Sequence, residues 1–175
     1  MRLIKYFYVL SLLLLLSCVT GKVHEGEGAI DYKLYQGKWY EIARLPNPFE
    51  EGLNCITMNY EVHDEGIMMV TNKGYNKNDP SDIKILTGKA WIPDGKEPQK
   101  IKIQFIWPIT KDYILIHIDN TKGLAILGSP TKYQLWILSR SPKVAEEDIQ
   151  ELIKIVQKNG YKTDTLVYVD QNCKE

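Results

Sequence analysis

The chain contains 175 residues, and its 22 basic and 22 acidic side chains give a formal net charge of zero. This length is sufficient for one domain with a sizeable core, and the balanced charge argues against nucleic acid as a partner, because a phosphate backbone requires a basic surface. The 11 Tyr and 4 Trp residues favour β-strands and cavities that combine apolar walls with polar tips.

Residues 1–17 are predicted to be a lipoprotein signal peptide. Arg2 and Lys5 form a short basic region, and the apolar run Tyr6–Leu16 follows it. That run is shorter than the roughly 20 residues needed to span a bilayer. The sequence Leu15-Leu16-Ser17-Cys18 resembles a bacterial lipobox, in which the cysteine becomes the first mature residue and carries acyl chains. The alternative is an ordinary signal peptide with an incidental cysteine at this position.

Residues 18–29 are predicted to be a tether between the lipidated Cys18 and a domain that spans residues 30–175. Val19 and Thr20 follow the cysteine, and by the sorting rule known for enteric bacteria the absence of Asp there indicates the outer membrane. Stable anchoring takes more than one acyl chain, since each buried methylene contributes about 0.8 kcal/mol. Removal of the signal peptide leaves a formal charge of about −2.

The chain has three cysteines, Cys18, Cys55 and Cys173. If Cys18 is acylated, the other two form an even set in an oxidising compartment, and a Cys55–Cys173 disulfide is the only intramolecular option. The bond would close a loop of roughly 120 residues and stabilise the fold by up to about 5 kcal/mol in the chain-entropy description. Two free buried thiols are the alternative. No metal site is expected, because no Cys or His cluster has ligand spacing.

Eight strand-like runs follow one another at intervals of about ten residues, with turn-forming residues between them. Such regular spacing predicts an all-β barrel or sandwich with up-and-down connections, and not alternating β and α units. The runs are Gly37–Arg44, Asn54–Val62, Ile67–Tyr75, Ile83–Ile92, Lys100–Trp107, Tyr113–Ile118, Leu124–Gly128 and Tyr133–Ser139.

One helix is predicted after the eighth run. Ser141 suits the N-cap position and Pro142 the first helical position, while Asn159-Gly160 ends the pattern. The apolar residues recur at helical spacing, which predicts a helix with one face on the barrel wall. They are Ile149, Leu152, Ile153 and Val156. A short last strand is expected at Thr165–Val169.

The two ends of this pattern resemble the lipocalin family. Gly37–Arg44 is similar to the first lipocalin motif, a Gly-x-Trp-Tyr element, and Tyr133–Arg140 is similar to the last, which ends in the family's Arg. Further matches lie between these motifs, and the resemblance runs from about Ile30 to Cys173. They are Cys55, Tyr60, Asp64, Gly66, Val70–Asn72 and Gly88–Ala90. The resemblance is closest to bacterial lipocalins that share ancestry with apolipoprotein D.

This resemblance implies a fold that is all-β: an eight-stranded antiparallel up-and-down lipocalin barrel, with one C-terminal α-helix packed on its wall and a short final strand. Gly37, Trp39 and Arg140 are its structural motif. Trp39 would close one end of the barrel, and Arg140 would lie on the indole as a cation–π contact. A role for Arg140 in binding a ligand carboxylate is the alternative.

The family's pocket also carries over onto this chain. In the eighth run Trp136, Leu138 and Arg140 share a face, so the first two would line a cavity above the closed end. The implied ligand-binding residues form a mostly apolar wall with a few polar groups. They are Tyr60, Asn72, Ala90, Phe105, Tyr113, Trp136 and Leu138. The alternative is that the same residues pack a filled core.

The implied function is binding of a small hydrophobic or amphiphilic ligand, such as a fatty acid or lysophospholipid, for lipid transport or storage at the bacterial cell envelope. The protein would face the periplasm as a monomer or homodimer, without cofactor or metal. It is not expected to be an enzyme, since it lacks the Gly-x-Ser-x-Gly and His-Glu-x-x-His motifs and its histidines, His24, His63 and His117, are scattered. A lipid-modifying enzyme on this scaffold, and an envelope interaction lipoprotein with an unused barrel, are the alternatives.

Overall fold

A computed structural model describes residues 35–64 and 66–173. The predicted signal peptide, the tether and Cys18 lie outside the described residues. Within these residues, no helix is both long and apolar enough to cross a bilayer.

The strands form one antiparallel sheet that closes on itself. Each strand pairs with the next along the chain, and the first pairs with both the second and the eighth. The predicted eight-stranded up-and-down barrel is therefore confirmed. Its strands are β1 (Gly37–Arg44), β2 (Leu53–Asp64), β3 (Ile67–Asn76), β4 (Ile83–Trp91), β5 (Lys100–Ile106), β6 (Ile109–Asp119), β7 (Leu124–Gly128) and β8 (Leu135–Ser139).

One helix and a short extra strand lie outside the barrel, as predicted. The helix is α1 (Glu146–Lys158), and β9 (Val167–Tyr168) pairs with the end of β1. The helix buries Ile149, Leu152 and Val156. Their burial against the outer wall anchors the helix on the barrel.

Alternation along the strands separates two cores. In β8, Trp136 and Leu138 join the cluster inside the barrel, whereas Leu135 and Ile137 join the cluster under the helix. Because both faces of β7 and β8 are covered, every residue of these two strands is buried. This explains why both strands are apolar nearly throughout, whereas a strand with one solvent-exposed face would alternate apolar and polar residues.

The predicted start of the helix was wrong. Ser141 and Pro142 lie in a turn in which the Ser141 hydroxyl accepts a hydrogen bond from the Lys143 amide (3.2 Å). The first helical residue is Glu146, and Ala145 precedes it without a side-chain cap. Local side-chain bonding of Ser to the backbone competes with helix formation. The acidic residues at the true N-terminus interact favourably with the helix dipole instead.

A disulfide joins Cys55, near the start of β2, to Cys173 in the C-terminal tail. The two Cα atoms are 6.1 Å apart and the residues are 118 positions apart in sequence. The tail also makes main-chain bonds to the barrel, because Cys55 donates to Asp170 and Val169 donates to Ile42 (both 2.9 Å). The pairing expected from the cysteine count is thus the pairing in the structure.

Candidate ligand-binding site

The end of the barrel where β1 begins is closed by Trp39, which is fully buried. The Trp39 indole donates a hydrogen bond to the main-chain oxygen of Tyr35 (2.9 Å). The Arg140 guanidinium carbon lies 3.7 Å from the indole centroid, and its nitrogens donate to the main-chain oxygens of Lys38 (2.9 Å) and Gln36 (2.8 Å). A stacked cation with two charge-assisted hydrogen bonds holds the indole rigidly. Trp39 and Arg140 therefore form a structural floor.

The other end of the barrel opens into a cavity of about 610 Å³, within the usual range for small-molecule sites. Its wall is formed by the strand ends that face away from Trp39, together with the β1–β2 loop, and most of it is apolar. The lining residues are Asn47, Phe49, Glu50, Leu53, Ile56, Asn72, Lys73, Gly74, Ile83, Lys84, Ile85, Leu86, Ile103, Phe105, Ile106, Ile109, Lys111, Tyr113, Gln134 and Trp136.

The structure divides the seven residues implied by the family pocket into two levels. Asn72, Phe105, Tyr113 and Trp136 line the cavity. The other three, Tyr60, Ala90 and Leu138, are at most 1% exposed and pack in the core between cavity and floor.

Tyr60 is typical of this lower level, because its ring makes an edge-to-face contact with Tyr35 (5.3 Å between centroids), which itself packs on Trp39. These three residues are therefore core residues rather than cavity lining. Alternation gives the correct face for all seven but not the height along the barrel.

Two polar groups inside the wall have incomplete hydrogen bonding. The Asn72 side-chain oxygen is buried, and no protein donor reaches it within the described residues. The Tyr113 hydroxyl has a long contact of 3.5 Å to Gln134. Burial, and then the Glu50 charge, raises the pKa of Tyr113 to about 12, so it remains a neutral hydroxyl. An unsatisfied buried acceptor such as the Asn72 oxygen costs roughly 1–3 kcal/mol.

A buried ionic network supports the wall beneath the β1–β2 loop. The Trp136 indole donates to both Glu50 carboxylate oxygens (3.2 and 3.0 Å). Arg44 donates to the Glu50 main-chain oxygen (2.7 Å) and to the Glu41 carboxylate (3.0 Å). The Asn47 side chain also donates to the Glu50 carboxylate. These bonds fix the loop against the strand that carries Trp136.

Glu41 is the most deeply buried acid of this network. Burial raises the pKa of Glu41 well above its ordinary value, the Glu50 charge adds to the effect, and Arg44 opposes it. The sequence analysis did not predict this network. No local pattern marks it, because Glu50 and Trp136 are 86 positions apart.

Three lysines surround the mouth of the cavity: Lys73, Lys84 and Lys111. The Lys111 ammonium lies 5.0 Å from the centre of the Phe49 ring. No carboxylate of the described residues forms an ion pair with any of the three, whereas Lys100 and Lys102 elsewhere on the barrel pair with Glu97 and Asp112. The mouth is therefore a positively charged opening above an apolar interior.

A closed antiparallel barrel with a plugged floor, an apolar cavity and a polar mouth defines a class of small-ligand-binding β-barrel proteins. A family model described as a lipocalin-like domain matches residues 30–171, and the chain belongs to that family.

Two kinds of relative align with most of the chain. The outer membrane lipoprotein Blc of Vibrio cholerae is 33% identical over 94% of this chain and 97% of its own length, and that of Escherichia coli K12 is 35% identical over 81% and 79%. Apolipoprotein D of Mus musculus is 31% identical over 89% of this chain and 84% of its own length. The expected grouping with bacterial lipocalins and apolipoprotein D is confirmed.

Solved structures share the fold at lower identity. Lobster apocrustacyanin A1 matches with a TM-score of 0.67 at 19% identity, over 82% of this chain and 81% of its own. Insecticyanin of the tobacco hornworm Manduca sexta matches with a TM-score of 0.64 at 21% identity, over 81% of each chain. At these identities the likeness concerns the barrel and its helix alone.

Proposed function

We propose that this protein binds one small amphiphile in the barrel, with the apolar tail in the cavity and the polar head at the mouth. The observation that carries the proposal is the 610 Å³ cavity, whose wall is mainly apolar and which opens at the end of the barrel opposite Trp39. Such a volume suits one ligand of moderate size. The four lining residues implied by the family pocket, Asn72, Phe105, Tyr113 and Trp136, are the proposed contacts.

A fatty acid or lysophospholipid fits the charges of the site. Lys84 and Lys111 lie on the inward-facing positions of β4 and β6, near the mouth. Ammonium groups there would pair with a carboxylate or phosphate. Asn72 pairs across the sheet with Leu86, which is 40% exposed at the mouth. Asn72 therefore lies at the height of the proposed head group, and its buried side-chain oxygen would accept a head-group hydroxyl only after the amide turns toward the cavity.

Binding is favoured over catalysis by the chemistry of the wall. The lining side chains include no His, Cys, Ser or Thr, and within the described residues no three His, Cys, Asp or Glu side chains form a group that could hold a metal ion. A lipid-modifying enzyme would need a nucleophile or base inside the cavity. Among the described residues Glu50 supplies the only carboxylate of the wall, and that carboxylate accepts a hydrogen bond from the Trp136 indole and forms an ion pair with Arg44.

The proposed location is the outer membrane, with the barrel in the periplasm. Relatives that share 33% and 35% identity are named outer membrane lipoproteins, and Leu15–Cys18 supplies the lipobox-like sequence. Acylation of Cys18 would anchor the chain, and residues 18–29 would tether the barrel. The role would be carriage or storage of lipid at the envelope. A Cys18→Ala variant that stays in the membrane fraction would contradict the proposal that acylated Cys18 anchors the protein.

Ligand titration with mass detection tests the proposal. Palmitate or a lysophospholipid should change tryptophan emission saturably, because Trp136 lies in the cavity wall, and native mass spectrometry should find one ligand per chain. Trp136→Phe should reduce the optical response while the mass shift remains. Absence of a saturable response and of a bound mass across several chain lengths would contradict the proposal.

A further inference from the structure

The two strands β1 and β2 do not close the barrel wall by themselves in the half that holds the cavity. Their pairing covers residues 37–40, at the closed end, although β1 runs on to Arg44 and β2 begins at Leu53. The main-chain groups of residues 41–44 on that side need other partners, because a buried amide or carbonyl is costly to leave unpaired. The C-terminal part of the chain supplies these partners.

One edge of the C-terminal chain completes β1. β9 pairs with Ala43 and Arg44, and the Val169 amide donates a hydrogen bond to the main-chain oxygen of Ile42 (2.9 Å). The segment that follows β9, residues 169–173, is here called the tail. It continues the antiparallel ladder along β1 toward the closed end of the barrel.

The other edge of the tail completes β2. The Cys55 amide donates to the main-chain oxygen of Asp170 (2.9 Å). The side-chain nitrogen of Gln171 donates to the main-chain oxygen of Glu41 on β1 (2.7 Å) and to that of Ile56 on β2 (3.0 Å), so a single amide group bridges the two strands. The tail is therefore a segment of the barrel wall that is inserted between β1 and β2.

This wall segment lies directly behind the cavity lining. Val169 packs with Leu53 and Ile56 in a buried cluster, and Leu53 and Ile56 both line the cavity. A second hollow, of about 490 Å³, borders Val167 of β9 and Asn47 of the β1–β2 loop, and Asn47 also lines the cavity. Detachment of the tail would therefore open a slot between β1 and β2, below the β1–β2 loop.

Apart from the disulfide, few contacts hold the tail in place. Val169 is its only buried residue, Gln171 is partly buried, and Asp170, Asn172 and Cys173 are exposed. A terminal segment that buries little apolar surface opens locally at a low cost in free energy. The bond from Cys173 to Cys55 is thus the main constraint that keeps the slot closed.

The two bonded cysteines differ in exposure and in backbone conformation. Cys55 is 6% exposed, whereas Cys173 is exposed, so an incoming thiolate reaches the sulfur of Cys173. Cys55 has a φ of 48°, in the left-handed region that a β-carbon disfavours, at a register shift between Asn54 and Thr57. Such a conformation persists only where its surroundings hold it. Release of the tail would let the start of β2 relax, which favours an open slot.

We propose that the tail is a redox-controlled closure of the ligand cavity. Reduction of the Cys55–Cys173 bond by a dithiol releases the tail, opens the slot between β1 and β2, and speeds the passage of ligand through the wall. The inference rests on the proposed binding of an amphiphile in the cavity.

The exchange requires a dithiol reductant, such as the reduced form of a thiol oxidoreductase. One thiolate of the reductant attacks the Cys173 sulfur and forms a mixed disulfide, while Cys55 leaves as a thiolate. The second thiolate of the reductant then attacks the mixed disulfide and releases the Cys173 thiolate. Two electrons pass to the protein, the two protons of the dithiol end on Cys55 and Cys173, and the reductant becomes a disulfide.

Release of cis-parinaric acid, a fluorescent fatty acid, from the full chain tests the proposal. Excess oleate displaces the bound probe, and the exit rate is compared before and after reduction with dithiothreitol. The rate should rise about tenfold, the effect of a barrier lower by about 1.4 kcal/mol, and should fall again on reoxidation. Equal exit rates in oxidised and fully reduced protein would overturn this inference alone. Absence of binding in the oxidised protein would overturn the proposed function as well.

Two variants separate opening of the slot from a general loss of stability. Cys55→Ser/Cys173→Ser should show the fast exit rate with and without reductant. Leu152→Ala is the matched control, because it truncates a side chain that is 2% exposed under the helix and destabilises the fold while the disulfide stays intact. Its exit rate should equal that of the parent. If Leu152→Ala speeds exit as much as the double variant does, the effect is general destabilisation and the inference is wrong.

Hydrogen exchange locates the opening within the fold. In the oxidised protein the Cys55 and Val169 amides should be protected, because both donate hydrogen bonds within the wall. Reduction should expose these two amides to exchange while the amides of β8 stay protected. Loss of protection throughout the sheet would overturn the inference, and so would continued protection of Cys55 and Val169 after complete reduction.

Discussion

Loss of Arg44 should destabilise the protein strongly and in a pH-dependent manner. The Arg44 side chain is 4% exposed and is held by Glu41 and Glu50 at 3.0 and 3.5 Å. Arg44→Met leaves two buried carboxylates facing each other without a counter-ion. Breaking a buried ion pair from one side costs about 3–5 kcal/mol, a large fraction of a typical stability of roughly 5–15 kcal/mol.

The pH dependence follows from Glu41. Its pKa is already raised by burial, and Arg44 is one of the influences that lower it. Without Arg44 the pKa rises further, so that acidification neutralises Glu41 and reduces the penalty. Urea unfolding at pH 8 and pH 5, with the disulfide intact, measures both effects. A variant as stable as the parent at pH 8, or a loss that is the same at both pH values, would refute the reasoning.

Other consequences of the structure can be tested in the same way. Because the pKa of Glu41 is raised in the folded state, its contribution to stability is present below the unfolded value of about 4.3 and is lost as pH rises through the folded value; Glu41→Gln should flatten that decline in urea unfolding. Cys55→Ala/Cys173→Ala should lower the free energy of unfolding by up to about 5 kcal/mol, and a thermal midpoint unchanged by this double substitution would argue against a stabilising disulfide. Asn72→Leu removes a buried unsatisfied acceptor, so stability should hold or rise by about 1 kcal/mol while lysophospholipid affinity falls about tenfold and fatty-acid affinity changes little, as isothermal titration would show.

The local sequence was sufficient to predict the two residues that form the floor of the barrel. Trp39 and Arg140 lie in short segments whose residue types and order are distinctive, and the structure places the guanidinium 3.7 Å from the indole centroid. The disulfide could also be predicted from the sequence, because two cysteines remain once Cys18 is set aside. The start of the helix could not be predicted in this way, because Ser141 and Pro142 suit a helix N-terminus and a turn equally well. In the structure they form a turn.

The alternation of residues along a strand does not predict which of the inward-facing residues line the cavity. A period of two residues decides whether Tyr60 or Ala90 points inward. Their height above Trp39 depends on the tilt and stagger of the strands, which only barrel closure determines. Phe105 and Trp136, with the same inward orientation, reach the cavity, while Tyr60 and Ala90 stay in the core below it.

By itself the sequence determined the eight strands, their order, the inward face of most of them and the floor under the barrel, because these follow from alternation, turn residues and two local motifs. Tertiary structure alone decided the Glu41–Arg44–Glu50 network, the level of each inward residue and the gathering of Lys73, Lys84 and Lys111 at the mouth of the cavity. Those features join residues far apart in sequence, and closure of the barrel is what brings them to one end.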